Sequence, residues 1–129
     1  MERKTEKMAG RDPESRDLGT GKGLSRLLEL EPEIRAAAIL DRDGGVLECT
    51  TSGPPDFGSA AADVVDVIDA AGSKPVDSCH IASPDAEVFV VREGDLALVA
   101  VTERFVLASL MAFDMRMTLR DLAGGHKVA

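Results

Sequence analysis

Cys79 and His80 are the neighbouring pair in this chain whose residue types could do covalent chemistry. A cysteine activated by a histidine is a common nucleophile–base pair. Both residues lie in a predicted strand over 77–83, however, and successive side chains of a strand point to opposite faces. They therefore cannot act on each other, and no Ser/His/Asp set stands out elsewhere. We expect a protein that is not an enzyme, although a site assembled from distant residues stays open.

The segment 41–48, "DRDGGVLE", begins as a calcium-binding loop does. Asp41 and Asp43 have the spacing of the first two ligands of an EF-hand. Gly45 and Ser52, however, stand at the fifth and twelfth positions, where that loop needs an oxygen ligand and a glutamate. Asp and Gly are also typical of tight turns, because they tolerate a positive φ angle. We therefore expect a β-hairpin at this point rather than a metal site.

Two further segments lack the spacing that their chemistry requires. "GTGKG" at 19–23 contains a Gly-Lys pair, but Arg16 stands where a phosphate-binding loop has its first glycine, and Gly23 replaces the final Ser or Thr. Three aspartates on the predicted helix 57–71 recur every third residue and fan over about 120° of its surface, so they do not converge on one ion. We interpret them as a solvated face. No metal, nucleotide or other cofactor is expected.

Length and charge narrow the class of protein. The chain has 129 residues, of which 44% are hydrophobic, enough for one domain with a buried core. Its formal net charge of −8 disfavours nucleic acid and acidic membrane surfaces, which bind basic faces. No apolar run approaches the ~20 residues of a membrane span, and the charged N-terminus is no secretory signal. With two cysteines, we expect a cytoplasmic protein without membrane insertion.

Apolar periodicity predicts eight elements in the order α-β-β-α-β-β-β-α. The expected elements are a short helix that ends near Pro32, strands at 35–40 and 46–51, a helix at 57–71, strands at 77–83, 86–93 and 96–103, and a helix at about 104–122. This order predicts an α/β fold of the α+β type. We expect a disordered tail over 1–20, one domain over 21–123 and a frayed C-terminus over 124–129.

The last helix has two apolar lines, whereas one would suffice to cover a sheet. The first line is Val106, Leu110, Phe113 and Met117, and the second, nearly opposite, is Met111, Met115, Leu119 and Leu122. The sequence does not say which line faces the core. We expect the second line to be a partner-binding surface, because methionine suits an adaptable contact. The alternative is that the first helix packs on that line within the same chain.

The ordered set of segments resembles the Roadblock/dynein light chain family, in its bacterial members. The residues that carry the resemblance are "GLSRLLELEPEIR" running into "AAAILDRDGGVLECT", the hairpin "EVFVVREGDLALVAVTE" and the helix "LASLMAFDMRMTLRDL". The resemblance covers residues 24–122. It implies a five-stranded antiparallel sheet in the order 2-1-5-4-3, with the first and third helices on one face and the second helix on the other. The family offers no catalytic residue to carry over.

The same resemblance implies a homodimer in which the third strands and second helices of two chains meet. This points to Val67, Cys79 and Ile81 as interface residues, and it places Cys49 and Cys79 at opposite sheet edges, too far apart for a disulfide. The resemblance implies a regulatory or scaffold module that acts on a Ras-like small GTPase or in a signalling complex. Bacterial members of the family include the partner protein of the gliding-motility GTPase, and this partner accelerates GTP hydrolysis by the GTPase. A small-molecule-binding sensory domain is the alternative function.

Overall fold

The structure is a computed structural model that describes residues 18–50 and 56–128. Its elements are α1 (Leu18–Leu30), β1 (Ile34–Leu40), β2 (Val46–Cys49), α2 (Phe57–Ala71), β3 (Ser78–Ala82), β4 (Glu87–Glu93), β5 (Leu96–Thr102) and α3 (Ala108–Val128). The predicted order of elements is confirmed. α1 begins inside the segment expected to be tail, and α3 continues through most of the end expected to be frayed. The rest of the predicted tail, up to residue 17, lies outside the described residues.

The five strands form one antiparallel sheet in the order β2-β1-β5-β4-β3, which confirms the order that the resemblance implied. Tight turns join β1 to β2 and β4 to β5, and Gly44 and Gly94 adopt the positive φ angles of 85° and 60° that these turns need. The carboxylate of Asp41 accepts hydrogen bonds from the N–H groups of Asp43 and Gly45. The aspartate that resembled a calcium ligand is therefore used to fold its own turn.

Helices cover both faces of the sheet. α1 and α3 lie on one face, where their apolar side chains meet Ile39, Phe89 and Leu98. α2 lies on the other face, where it meets Val90 and Val99. Because neighbouring residues of β4 and β5 point to opposite faces, each of these strands contributes to both cores, as the unbroken apolar run of β5 predicted.

Gly58 allows α2 to approach β2 closely. A Cβ atom at this position would lie 2.8 Å from the Cγ2 atom of Val46, a distance that side chains do not adopt. The glycine near the start of α2 therefore sets how near the helix lies to the sheet edge. Within the described ranges, no helix has the length and apolar character needed to cross a membrane.

Candidate interaction surface

The apolar line of α3 that we expected to bind a partner is buried within this one chain. Met111, Met115 and Leu119 are each 0% exposed. They pack between the sheet and α1, together with Leu24 and Leu27. Leu122 is partly buried against the same cluster. The prediction of a partner-binding surface on this line is therefore wrong, because α1 covers it, which was the alternative interpretation.

The opposite line of α3 carries the exposed apolar side chains. Leu110 is 48% and Phe113 is 59% exposed, and Leu107 one turn earlier is also exposed. Val106 packs partly against the core at the start of the helix. The spacing of the apolar residues identified both lines of α3. Only the position of α1, which covers the second line, decides which line is exposed to solvent.

Phe105 precedes α3 in an unusual backbone conformation. Its φ angle is 65°, in the left-handed region that non-glycine residues rarely adopt. Its N–H donates a 2.7 Å hydrogen bond to Oε2 of Glu87 on β4, and the Arg104 guanidinium lies 4.4 Å from the centre of its ring. The Glu87 carboxylate thus holds the turn between β5 and α3.

Glu87 also binds the edge strand β3 through His80. Its Oε1 atom lies 2.8 Å from Nε2 of His80, and the His80 ring stacks on Phe89 with centroids 4.3 Å apart. The pKa of Glu87 is lowered, first by the N–H of Phe105 and then by His80, because both stabilise the carboxylate. The imidazole is therefore held back over its own sheet, away from the open side of β3.

Among the strands that the structure describes, β3 forms one edge of the sheet, with β4 as its single neighbour. Backbone hydrogen bonds from Arg92 to Asp77 and from Ser83 to Ala86 mark the two ends of its ladder with β4. Since hydrogen-bonded residues alternate along an antiparallel pair, the N–H and C=O groups of Cys79 and Ile81 face β4. Those of Ser78, His80 and Ala82 point away from the sheet.

The three residues expected at a dimer interface lie at or near this edge. Ile81 is 44% exposed, and Cys79 is half-buried against the core beneath α2, so both face the α2 side of the sheet. Val67 is 68% exposed on α2 itself. Cys49 lies at the opposite edge on β2, and both cysteines are free, as expected. The structure places these residues where the resemblance put them, and their role in an interface stays a prediction.

Asp69 differs from the solvated face predicted for the α2 aspartates. It accepts two hydrogen bonds from the Arg92 guanidinium, at 3.0 and 2.8 Å, and one from the N–H of Val76 at 3.0 Å. Asp63 and Asp66 are exposed, as predicted. Asp69 therefore fixes the end of α2 to β4 and to the segment that leads into β3. Spacing alone could not distinguish it from the other two, because its partner comes from another element.

Glu31, which follows α1, is a buried carboxyl group that the sequence analysis missed. Its side chain is buried, and the carboxylate of Asp114 on α3 acts on it. Burial, followed by this carboxylate, raises the pKa of Glu31 to about 7. Across the described ranges, no three His, Cys, Asp or Glu side chains are grouped so that they could hold a metal ion.

Known proteins resemble this chain in their three-dimensional structure and not detectably in their sequence. No protein-family model and no curated protein matches it. The Roadblock/LC7 domain from Streptomyces avermitilis superimposes with a TM-score of 0.68 and 17% identity, over 81% of this chain and 99% of that one. The gliding protein MglB from Thermus thermophilus gives 0.67 and 18%, over 85% and 90%.

A chain of the LokiProfilin1/rabbit actin complex also matches, with a TM-score of 0.57 and 17% identity, over 80% of this chain and 93% of that one. Likeness at these identities concerns the fold, and the same fold occurs in proteins with different partners. The superpositions on the two bacterial structures extend over most of both chains in each case. The chain therefore has the fold of bacterial Roadblock/LC7 domains.

Proposed function

We propose that the chain is a non-catalytic, homodimeric regulatory or scaffold module whose dimer forms through the β3 edge and the neighbouring flank of α2. The observation that carries this proposal is that β3 is a regular edge strand whose outward-facing backbone groups have no strand beside them in the described part of the chain. Open backbone groups of an edge strand pair readily with another strand, so proteins that keep such an edge unpaired shorten, bend or charge it. β3 shows none of these protections along its paired length.

The two edges of the sheet differ in a way that favours β3 as the paired one. β2 is four residues long, contains Glu48, and its pairing with β1 is irregular between Ile39 and Leu40. β3 pairs with β4 in regular register over five residues and has no Lys, Arg, Asp or Glu. The exposed apolar side chains of Ile81 and Val67 add surface that a second copy would bury.

The partner class that we propose is a Ras-like small GTPase or a complex that contains one. Support comes from the resemblance to the Roadblock family and from the shared fold with MglB. A regulator of this kind needs no inserted catalytic residue, because it can stabilise the GTPase's own switch loops in the arrangement that positions water. We therefore propose that the chain regulates or scaffolds without catalysing a reaction of its own.

The test compares Ile81→Asp with Leu47→Asp, which lies on the opposite edge strand β2. The two wild-type side chains are 44% and 43% exposed, so the substitutions are matched in burial. Light scattering at micromolar concentration should give about twice 13.6 kDa for the wild type and for Leu47→Asp. Ile81→Asp should give a monomer, because two buried carboxylates would face the interface.

The same samples are then added to a Ras-like small GTPase from the same genome, and single-turnover GTP hydrolysis and binding are measured. Wild type and Leu47→Asp should bind the GTPase or change its hydrolysis rate, whereas Ile81→Asp should do so weakly. A monomeric wild type would overturn the dimer proposal. A dimer that neither binds such a GTPase nor alters its rate would overturn the assignment of the partner.

A further inference from the structure

The β3 edge is open over a limited number of residues, and this limit decides how a second strand can lie on it. The outward-facing backbone groups belong to Ser78, His80 and Ala82, because Cys79 and Ile81 are bonded to β4. The next outward positions along the chain are Val76 before the strand and Pro84 after it. Both of these positions are closed in the sense that neither offers a free N–H group to a further strand.

Val76 is closed because its own chain already uses its backbone. Its N–H donates to Oδ1 of Asp69 at 3.0 Å, and its C=O accepts from Nε of Arg92 at 3.1 Å. Pro84 is closed because proline has no N–H to donate. The edge is therefore a short template of three open residues with a defined beginning and end.

We infer that two copies of β3 pair antiparallel with His80 of one copy opposite His80 of the partner subunit. This inference rests on the proposed homodimer and names its register. It pairs Ser78 with Ala82 of the partner subunit and, by symmetry, Ala82 with the partner's Ser78. All three open residues of each copy then make backbone hydrogen bonds.

The two neighbouring symmetric registers use the edge less completely. Shifting the strands so that Cys79 faces the partner's Cys79 sets Ala82 against the closed position Val76. Shifting them the other way, so that Ile81 faces the partner's Ile81, sets Ser78 against Pro84. Each shift leaves the C=O group of one open residue of each copy without an N–H donor, which is costly for a backbone group that becomes buried.

The side chains of β3 agree with the register centred on His80. The His80 ring is held over its own sheet by Glu87 and Phe89, so it leaves the centre of the edge free for a second backbone. On the α2 face of the sheet, Cys79 lies opposite Ile81 of the partner subunit. Ile81 likewise lies opposite Cys79 of the partner subunit, because the two-fold axis passes between the two His80 residues. These pairs combine a half-buried and an exposed apolar side chain beside α2.

The register is tested by cross-linking three chains that keep His80. All three carry Cys49→Ser, which removes the cysteine at the other sheet edge. The first retains Cys79 alone, the second has Cys79→Ser with Ile81→Cys, and the third has Ile81→Cys with Cys79 kept. In the inferred register, a cysteine at 79 lies about 4.5 Å, Cα to Cα, from one at 81 of the other copy, within disulfide range.

The third chain should form a covalent dimer under mild oxidation at least about tenfold faster than the other two. In those chains the cysteines are diagonal neighbours about 7–8 Å apart, beyond the range for a disulfide. Fast cross-linking of the first chain would show the register centred on Cys79, and fast cross-linking of the second would show the one centred on Ile81. Either result overturns the inference.

Light scattering of the reduced chains separates this inference from the proposed function. Dimers of about twice 13.6 kDa that do not cross-link in any of the three chains would leave the homodimer standing and overturn the β3 register. Monomers in all three, with a monomeric wild type, would overturn the homodimer itself. An intrachain bond between 79 and 81 would stay at monomer mass on a non-reducing gel, so a covalent dimer reports the interchain pair alone.

Discussion

At the scale of single residues, Glu31 is the group whose chemistry the fold changes most clearly. The carboxyl lies between α1 and α3 with Asp114 beside it and with Glu33 as the other charge that acts on it. One of its oxygens, Oε2, is buried without a hydrogen-bond partner among the described residues. Burial and these two carboxylates favour the protonated form, which can donate a hydrogen bond where the charged form cannot.

This environment predicts how stability depends on pH. The pKa of Glu31 rises from the ordinary 4.5 to about 7 on folding. Between these values the folded chain holds a proton that the unfolded chain has released, so stability falls as pH rises from about 4.5 to about 7. Glu31→Gln stays neutral and can donate to Asp114. It should therefore lose this fall and exceed the wild type at pH 8 by roughly 1–3 kcal/mol.

Urea unfolding at pH 4.5 and pH 8 measures the effect, with Glu29→Gln on the exposed part of α1 as the control. The control should keep the pH dependence of the wild type. If Glu31→Gln and the wild type lose equal stability between the two pH values, the Glu31 carboxyl is not protonated in the folded chain. Sequence reasoning missed Glu31 because its burial comes from the crossing of two helices far apart in the chain.

At the scale of elements, α3 shows what periodicity can and cannot predict. The spacing of four and three residues correctly identified two apolar lines. It did not predict that α1 would cover Met111, Met115 and Leu119. These side chains pack against the sheet and against α1 at the same time, and the position of α1 cannot be read from the periodicity of α3. The element order was predicted well, since it follows from local patterns, whereas the sheet order was predicted by the family resemblance alone.

The orientation of α3 predicts unequal effects for two large side chains two residues apart. Met115→Ala should lower the free energy of unfolding by about 2–5 kcal/mol, because it leaves a cavity in the core beneath α1. Phe113→Ala should change it by less than about 0.5 kcal/mol, because that ring is exposed on the outer line. Denaturant unfolding of both variants gives the comparison. A larger loss for Phe113→Ala would mean that the helix is turned the other way.

At the scale of the whole molecule, the proposed dimer depends on whether a second chain pairs with the open edge of β3. The sheet has two edges, and the structure protects them differently. β2 is short and irregular, whereas β3 is a regular strand without charged side chains, and Val76 and Pro84 flank its open residues. The chain also has a net charge of −8, which opposes association through its surface at large. Pairing of two uncharged β3 strands is therefore the contact that we expect to overcome this repulsion.

Amide hydrogen exchange along β3, read by NMR on the full chain at a concentration where the dimer predominates, tests this pairing most directly. In a single sheet, the amides of Cys79 and Ile81 are protected by β4, while those of Ser78, His80 and Ala82 face solvent. The account predicts that all five amides exchange slowly, because a second β3 strand covers the outer three. Slow exchange at Cys79 and Ile81 with fast exchange at Ser78, His80 and Ala82 would contradict it.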